Sequence, residues 1–191
     1  MRIYGERFEE ALVHAAGLHR DQTRKGTDIP YVTHLLAVAS IVGENGGTED
    51  EVVAALLHDA IEDTPETKRS LAARYGPAVA EIVADCSDTD VTPKPPWKER
   101  KEAYVARAAR LSGSARLVSS ADKLHNARTI LADLRTEGEA LWDRFTGGRE
   151  GTLWYYRALV EAYGTSGSTQ IVDELNRVVR EIEVLAGRRS A

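Results

Sequence analysis

Four side chains that commonly bind metal ions lie close together in the run LLHDAIEDT, at His58, Asp59, Glu62 and Asp63. Three carboxylates at this density repel one another, and a bound divalent cation would compensate their charge. The nitrogen and oxygen donors favour Mn²⁺, Fe²⁺, Zn²⁺ or Mg²⁺ over a thiolate-seeking ion, because Cys86 is the only cysteine. The alternative interpretation is a solvated acidic helix end.

The sequence predicts that one helix carries all four residues. The preceding EVVAALL is apolar at helical spacing, and Thr48 with Glu51 three residues later forms a capping box that starts the helix. At about 3.6 residues per turn, the imidazole and the three carboxylates would point into one quadrant of that helix.

The rest of the chain is also predicted to be helical. Helical spacing continues from end to end, and no segment shows sustained two-residue alternation with hairpin turns, so the predicted fold class is all-α with about ten helices. The length of 191 residues predicts a single domain over 1–191, with C-terminal helices over 149–187 packed on it. The last helix is amphipathic and favours packing, although a homo-oligomer contact is left open.

Composition excludes several classes of function. A formal net charge of −5 argues against non-specific nucleic-acid binding, which needs a basic surface. We find no apolar run long enough to span a membrane and no signal-peptide pattern, so we expect a cytoplasmic protein without a membrane partner. An anionic ligand would therefore have to meet a local basic cluster.

A metal site needs donors beyond the His-Asp doublet, and few histidines are available to supply them. His34 lies among apolar residues of a predicted helix, where a lone histidine is more often a hydrogen-bonded core residue than a ligand. Asp122 and His125 fall together in SSADKLHNART, with Asp122 on the polar side. His14 and His19, on or just after the first predicted helix, are interpreted as structural.

Four strings in order resemble the HD-domain phosphohydrolases: HRDQTRKGTDIPYVTHLLAVA, AALLHDAIEDT, KPPWKERKEAY and SADKLHNART. The likeness covers most of residues 10–160. It is closest to the guanosine tetraphosphate hydrolase domains of the RelA/SpoT type and to the free-standing small alarmone hydrolases. The residues that the resemblance assigns to one Mn²⁺ ion are His34, His58, Asp59 and Asp122.

The resemblance implies a reaction as well as a metal. The pair matching Glu62 and Asp63 acts on the attacking water in that family, and either carboxylate could be the general base. The implied activity is removal of pyrophosphate from the 3′ position of a guanine nucleotide alarmone, guanosine tetra- or pentaphosphate. We expect a hydrolase-only member, since the synthetase and regulatory domains of long members would need many more residues. The alternatives are a phosphatase for another nucleotide such as NADPH and a non-catalytic nucleotide-binding regulator.

Basic and amide side chains near these motifs predict how an anionic nucleotide would bind. Arg24 could stack on a purine while Lys25 meets a phosphate as a point charge, which is how family members use the matching pair. Lys98 follows a proline-rich loop and could reach the outer phosphates, although such a charged helix is more often an exposed face. Asn126, one turn after Asp122, either contacts the nucleotide or hydrogen-bonds a metal ligand.

Overall fold

The computed structural model describes residues 4–89 and 93–188 of the chain. Within these residues it contains α-helices, a short 3₁₀ helix and no named β-strand, which confirms the all-α prediction. An isolated antiparallel bridge joins Thr23 to Pro30 in the loop between the first two helices. No helix in the described ranges is both long enough and apolar enough to cross a membrane.

The helices follow one another along the chain with short connections. Their bounds are α1 Glu6–Leu18, α2 Val32–Glu44, α3 Glu49–Leu57, α4 Ala60–Asp63, α5 Lys68–Tyr75, α6 Pro77–Cys86, α7 Trp97–Ala108, α8 Gly113–Glu137, a 3₁₀ helix Gly138–Arg144, α9 Gly148–Gly164 and α10 Gln170–Arg188.

The chain divides into two compact units. Unit 1 comprises Met1–Val91 and Leu111–Ala121, and unit 2 comprises Thr92–Arg110 and Asp122–Ala191. Helix α8 therefore gives its first residues to unit 1 and the remainder to unit 2. A single domain over 1–191, with its C-terminal helices on the core, stays a prediction.

Helix α3 forms the centre of unit 1. It packs against α1, α2 and α6, and every residue from Val52 to Leu57 is buried as a result. The capping box is confirmed, because the Thr48 hydroxyl accepts from the Glu51 amide while the Glu51 carboxylate accepts from the Thr48 amide at 2.7 Å. A buried, capped helix gives the residues that follow it a fixed starting point.

The prediction of one continuous helix through the acidic run is wrong. Helix α3 ends at Leu57, His58 and Asp59 lie in a turn, and α4 begins at Ala60. The His58 ring hydrogen-bonds the Ala55 carbonyl at 2.8 Å, and such a side-chain contact competes for the acceptors that a continued helix uses. His58 and Asp59 therefore belong to a turn, and Glu62 and Asp63 belong to a separate short helix.

In unit 2, helices α7 and α10 both pack on α9. The Trp97 ring of α7 lies so close to two glycines that a Cβ atom at Gly147 would meet it at 2.5 Å and one at Gly151 at 3.0 Å. On α9, Tyr155 and Tyr156 are buried, and Trp154 is half-buried.

We expect Gly147→Ala to lower the free energy of unfolding by about 1 to 2 kcal/mol, because the added methyl group would overpack against Trp97. Gly164→Ala is the matched control, since nothing lies within 4 Å of its Cβ position. Urea denaturation of both variants measures the difference. Equal effects of the two substitutions would contradict the packing argument.

Candidate metal centre

Two buried imidazoles and one carboxylate converge in unit 1. His34 is the third residue of α2, while His58 and Asp59 follow the end of α3. One ligand atom from each of the three lies within 4.8 Å of the others. The two histidine rings meet edge to face with centroids 5.1 Å apart, and the Asp59 side chain is 21% exposed. The packing of α2 on α3 thus brings together donors that are 24 residues apart in the sequence.

Hydrogen bonding fixes which nitrogen of His58 can act as a ligand. Its Nδ1 lies 2.8 Å from the Ala55 carbonyl oxygen, which can only accept, so Nδ1 carries a proton. In the neutral ring, the Nε2 lone pair then faces Asp59 Oδ2 at 3.0 Å, and His34 Nε2 lies 3.7 Å from the same oxygen. Lone pairs and a carboxylate in this arrangement suit a divalent cation between them, so the donor set fits the metal.

Asp59 is held from the other side by Tyr31, whose hydroxyl donates to Asp59 Oδ2 at 2.6 Å. The Tyr31 ring also meets the His34 ring edge to face, with centroids 5.4 Å apart. Sequence reasoning missed Tyr31. The available signal was its position three residues before His34, which places both side chains near the start of one helix.

The two residues of the acidic pair have different neighbours. Asp63 is exposed, and its Oδ2 accepts from Gln22 Nε2 at 3.0 Å. Glu62 Oε2 accepts from the backbone amide of Asp88 at 3.3 Å. The Asp63 amide also donates to the Asp59 carbonyl at 3.0 Å, so the pair lies one helical turn beyond Asp59.

The loop between α1 and α2 carries the predicted nucleotide-binding pair. Backbone hydrogen bonds close this loop, from Arg24 to Ile29 at 2.8 Å and from Tyr31 to Gln22 at 2.9 Å. The Arg24 guanidinium lies 5.8 Å from the centroid of the Tyr31 ring. Lys25 is exposed at the turn of the same loop. Arg24 therefore contacts the tyrosine that supports Asp59.

Asp122 lies in unit 2 and is 6% exposed. Asn126 donates to its Oδ1 at 2.6 Å and the Lys123 ammonium lies 2.7 Å from its Oδ2. Burial alone would lower the pKa of Lys123, but the charge of Asp122 and nearby tyrosines outweighs burial and raises that pKa well above its ordinary value. Of the two roles considered for Asn126, the structure therefore contains the hydrogen bond to a predicted metal ligand, Asp122.

Lys98 is engaged within unit 2. Its Nζ lies 3.0 Å from the centroid of the Trp154 ring and 3.6 Å from a carboxylate oxygen of Glu102. A cation held over a tryptophan face would have to leave that position to reach a phosphate. Its role in substrate binding stays a prediction.

The chain is similar to known proteins both in its family model and in its sequence. A family model described as HD domain matches residues 11–153. The chain is 40% identical over 124 residues to guanosine-3′,5′-bis(diphosphate) 3′-pyrophosphohydrolase MESH1 of Xenopus tropicalis, covering 63% of this chain and 68% of the relative. It is 32% identical over 175 residues to the Drosophila melanogaster protein of the same name, covering 90% and 93%.

A solved structure gives a similar result for the fold. It is of a metazoan ortholog of SpoT that hydrolyses ppGpp and plays a role in starvation responses, and it matches with a TM-score of 0.77 at 27% identity. The match covers 93% of this chain and 96% of that one. Together, the HD-domain match and the three clustered donors imply a divalent metal ion.

Proposed function

The chain belongs to the HD-domain family, and on that premise we propose that it is a Mn²⁺-dependent hydrolase releasing pyrophosphate from the 3′ position of guanosine tetra- or pentaphosphate. The observation that carries this proposal is the convergence of His34, His58 and Asp59 with an acidic pair one turn further along the chain. The named activity of the relatives supports the choice of substrate. In the reaction, water attacks the phosphorus attached to ribose O3′, and a new P–O bond forms as the O3′–P bond breaks. The leaving oxygen takes up a proton, so a 3′ hydroxyl and pyrophosphate are released.

We propose that His34, His58, Asp59 and Asp122 hold one Mn²⁺ ion. The nitrogen and oxygen donors suit this ion, and the buried Asp122 carboxylate has an ammonium and an amide beside it that fix its orientation. When bound, the ion would polarise a phosphoryl oxygen and lower the pKa of water.

The acidic pair supplies the proton acceptor. A carboxylate of Glu62 or Asp63 takes the proton of the attacking water, and the other orients it. Both residues have a fixed contact in unit 1, to the Asp88 amide and the Gln22 amide respectively. Each of these two hydrogen bonds is accepted by one oxygen of its carboxylate, Oε2 of Glu62 and Oδ2 of Asp63.

The nucleotide would bind along the loop between α1 and α2. Arg24 can stack on the purine and Lys25 can meet a phosphate. We propose that Asn126 contributes by orienting Asp122, while Lys98 would reach an outer phosphate only by leaving the Trp154 ring.

Arg24→Ala is expected to raise KM for guanosine tetraphosphate roughly 5- to 50-fold with a smaller effect on kcat, because a stacking cation is lost while the acidic pair is untouched. Arg20→Ala is the matched control, being an exposed arginine of the same loop. Steady-state kinetics on the three proteins test this. A KM that rises equally in both variants would indicate a general charge effect instead.

Turnover of guanosine tetraphosphate with Mn²⁺ and with excess chelator tests the proposed function. We expect pyrophosphate and guanosine diphosphate only in the presence of the metal. NADPH is assayed in parallel for phosphate release, because it presents a related phosphorylated ribose. If phosphate is released from NADPH and guanosine tetraphosphate is not hydrolysed, the proposed substrate is wrong. If chelator does not affect product formation, the proposed metal dependence is wrong.

A further inference from the structure

A chain of two hydrogen bonds connects a buried histidine to the acidic pair. His19 is 2% exposed and lies just after α1. Its Nδ1 is 2.6 Å from Gln22 Oε1, and Gln22 Nε2 donates to Asp63 Oδ2 at 3.0 Å. Nothing in the proposed reaction uses His19 or Gln22.

The chemistry of the three groups fixes the direction of both hydrogen bonds. An ionised Asp63 carboxylate only accepts, so Gln22 must present its NH₂ group to it. The amide oxygen of Gln22 then faces His19, and His19 must donate from Nδ1. The other ring nitrogen, Nε2, is buried and has no hydrogen-bond partner among the described residues, so a proton there would be a buried, unsatisfied donor. His19 is therefore expected in the Nδ1–H tautomer.

The same histidine supports the metal side of the site. Its ring stacks on the Tyr31 ring at a centroid distance of 5.2 Å, and the Tyr31 hydroxyl donates to Asp59 at 2.6 Å. The backbone holds these side chains together, because the Gln22 amide donates to the His19 carbonyl at 3.1 Å and the Tyr31 amide donates to the Gln22 carbonyl at 2.9 Å. His19 thus contacts both the residue that holds Asp63 and the residue that holds Asp59.

We propose that Gln22 is a positioning residue for the Asp63 carboxylate and that His19 is a positioning residue for Gln22. This inference rests on the proposed function, in which Asp63 acts on the attacking water. The His19 donor fixes the amide of Gln22 in one orientation, and the amide fixes the rotation of the carboxylate. Without these two hydrogen bonds, the carboxylate of the exposed Asp63 side chain would rotate among more orientations. Fewer substrate complexes would then have the carboxylate aligned for proton transfer.

The tautomer is measured first, because it does not depend on activity. Two-bond ¹H–¹⁵N correlation spectra of wild type report the protonated nitrogen of each histidine ring, and loss of one signal set in His19→Asn assigns His19. We expect the Nδ1–H form in wild type and a change in Gln22→Met, which keeps the side-chain length without an amide. An Nε2–H form in wild type would overturn the hydrogen-bond chain.

Steady-state kinetics then measure how much Gln22 contributes to the proposed reaction. Gln22→Met is expected to lower kcat roughly 10-fold or more, while KM and the Mn²⁺ dissociation constant from calorimetry stay within about threefold. Thr23→Ala, the next residue of the same loop, is the control and should stay within about twofold in every constant. An unchanged kcat in Gln22→Met would overturn the positioning role, and so would parallel losses in kcat, KM and metal affinity.

His19 is tested with two substitutions of nearly equal shape. Asparagine places an amide donor where Nδ1 was and leucine does not, so His19→Asn is expected to keep most of kcat while His19→Leu loses roughly 10-fold. Thermal melts measure the destabilisation that both share. Equal losses in the two variants would assign His19 a packing role only. Absence of turnover in wild type would overturn the proposed function and the positioning roles that rest on it. The tautomer of His19 would still show whether the two hydrogen bonds are present.

Discussion

Replacing Asp122 with alanine is expected to abolish Mn²⁺-dependent release of pyrophosphate from guanosine tetraphosphate, with a loss of more than about 1,000-fold in kcat/KM. The proposed metal set contains one carboxylate from the end of α3 and one from α8. Without Asp122, two imidazoles and Asp59 would have to hold the ion alone. Calorimetric titration with Mn²⁺ should show the loss of binding directly.

Stability has to be separated from metal binding in this experiment. Lys123 is only 15% exposed on its side chain and pairs with Asp122, so removing that partner leaves a largely buried cation and can cost about 3 kcal/mol. Asp122→Asn keeps the shape and is compared with Asp122→Ala by circular dichroism and thermal melting. Asp133→Ala, on the same helix and paired with Arg144 at 3.1 Å, is the control for loss of an acidic residue. Turnover by folded Asp122→Ala at the wild-type rate would contradict the ligand set.

The local features of the sequence could be predicted because they depend on near neighbours. The capping box at Thr48 and the apolar run up to Leu57 predict a helix with a defined start, and the structure has that helix, with every residue from Val52 to Leu57 buried. The convergence of His34 with His58 followed from the family resemblance, since nothing local relates residues on two different helices.

The helix break after Leu57 could not be predicted from spacing. It coincides with a hydrogen bond from the His58 ring to the Ala55 carbonyl, and helical periodicity does not reveal that a polar side chain will compete with the backbone. The four polar residues have the same spacing in the sequence whether the helix continues or breaks after Leu57. The consequence is functional, because the turn directs His58 and Asp59 towards His34 while α4 carries Glu62 and Asp63.

The supporting residues were missed for a different reason. Gln22 and Tyr31 lie in a loop that looks like a polar connection in the sequence, and their partners are 41 and 28 residues away. Only the closed backbone of that loop places them beside Asp63 and Asp59. His19 was interpreted as structural, which agrees with its burial but overlooks the donor that it offers to Gln22.

Glu62→Gln and Asp63→Asn are expected to lower kcat by about 100- to 10,000-fold while Mn²⁺ still binds, because a neutral amide cannot accept the proton of the attacking water. The substitutions preserve side-chain shape, so the hydrogen bond from the Asp88 amide and the one from Gln22 can each still meet an oxygen. Single-turnover measurements separate the chemical step from substrate binding.

The two variants also decide which carboxylate is the base. The variant that lacks the base should lose the acid limb of the pH profile of its residual kcat, whereas the variant that lacks the orienting group should keep that limb at a lower rate. Glu66→Gln is the control, since it removes a nearby carboxylate whose contact is with His14 at 3.3 Å and should leave kcat within about threefold. If both Glu62→Gln and Asp63→Asn also lost Mn²⁺ binding, the pair would belong to the metal site, and the division of the acidic run into ligands and water-activating groups would be wrong.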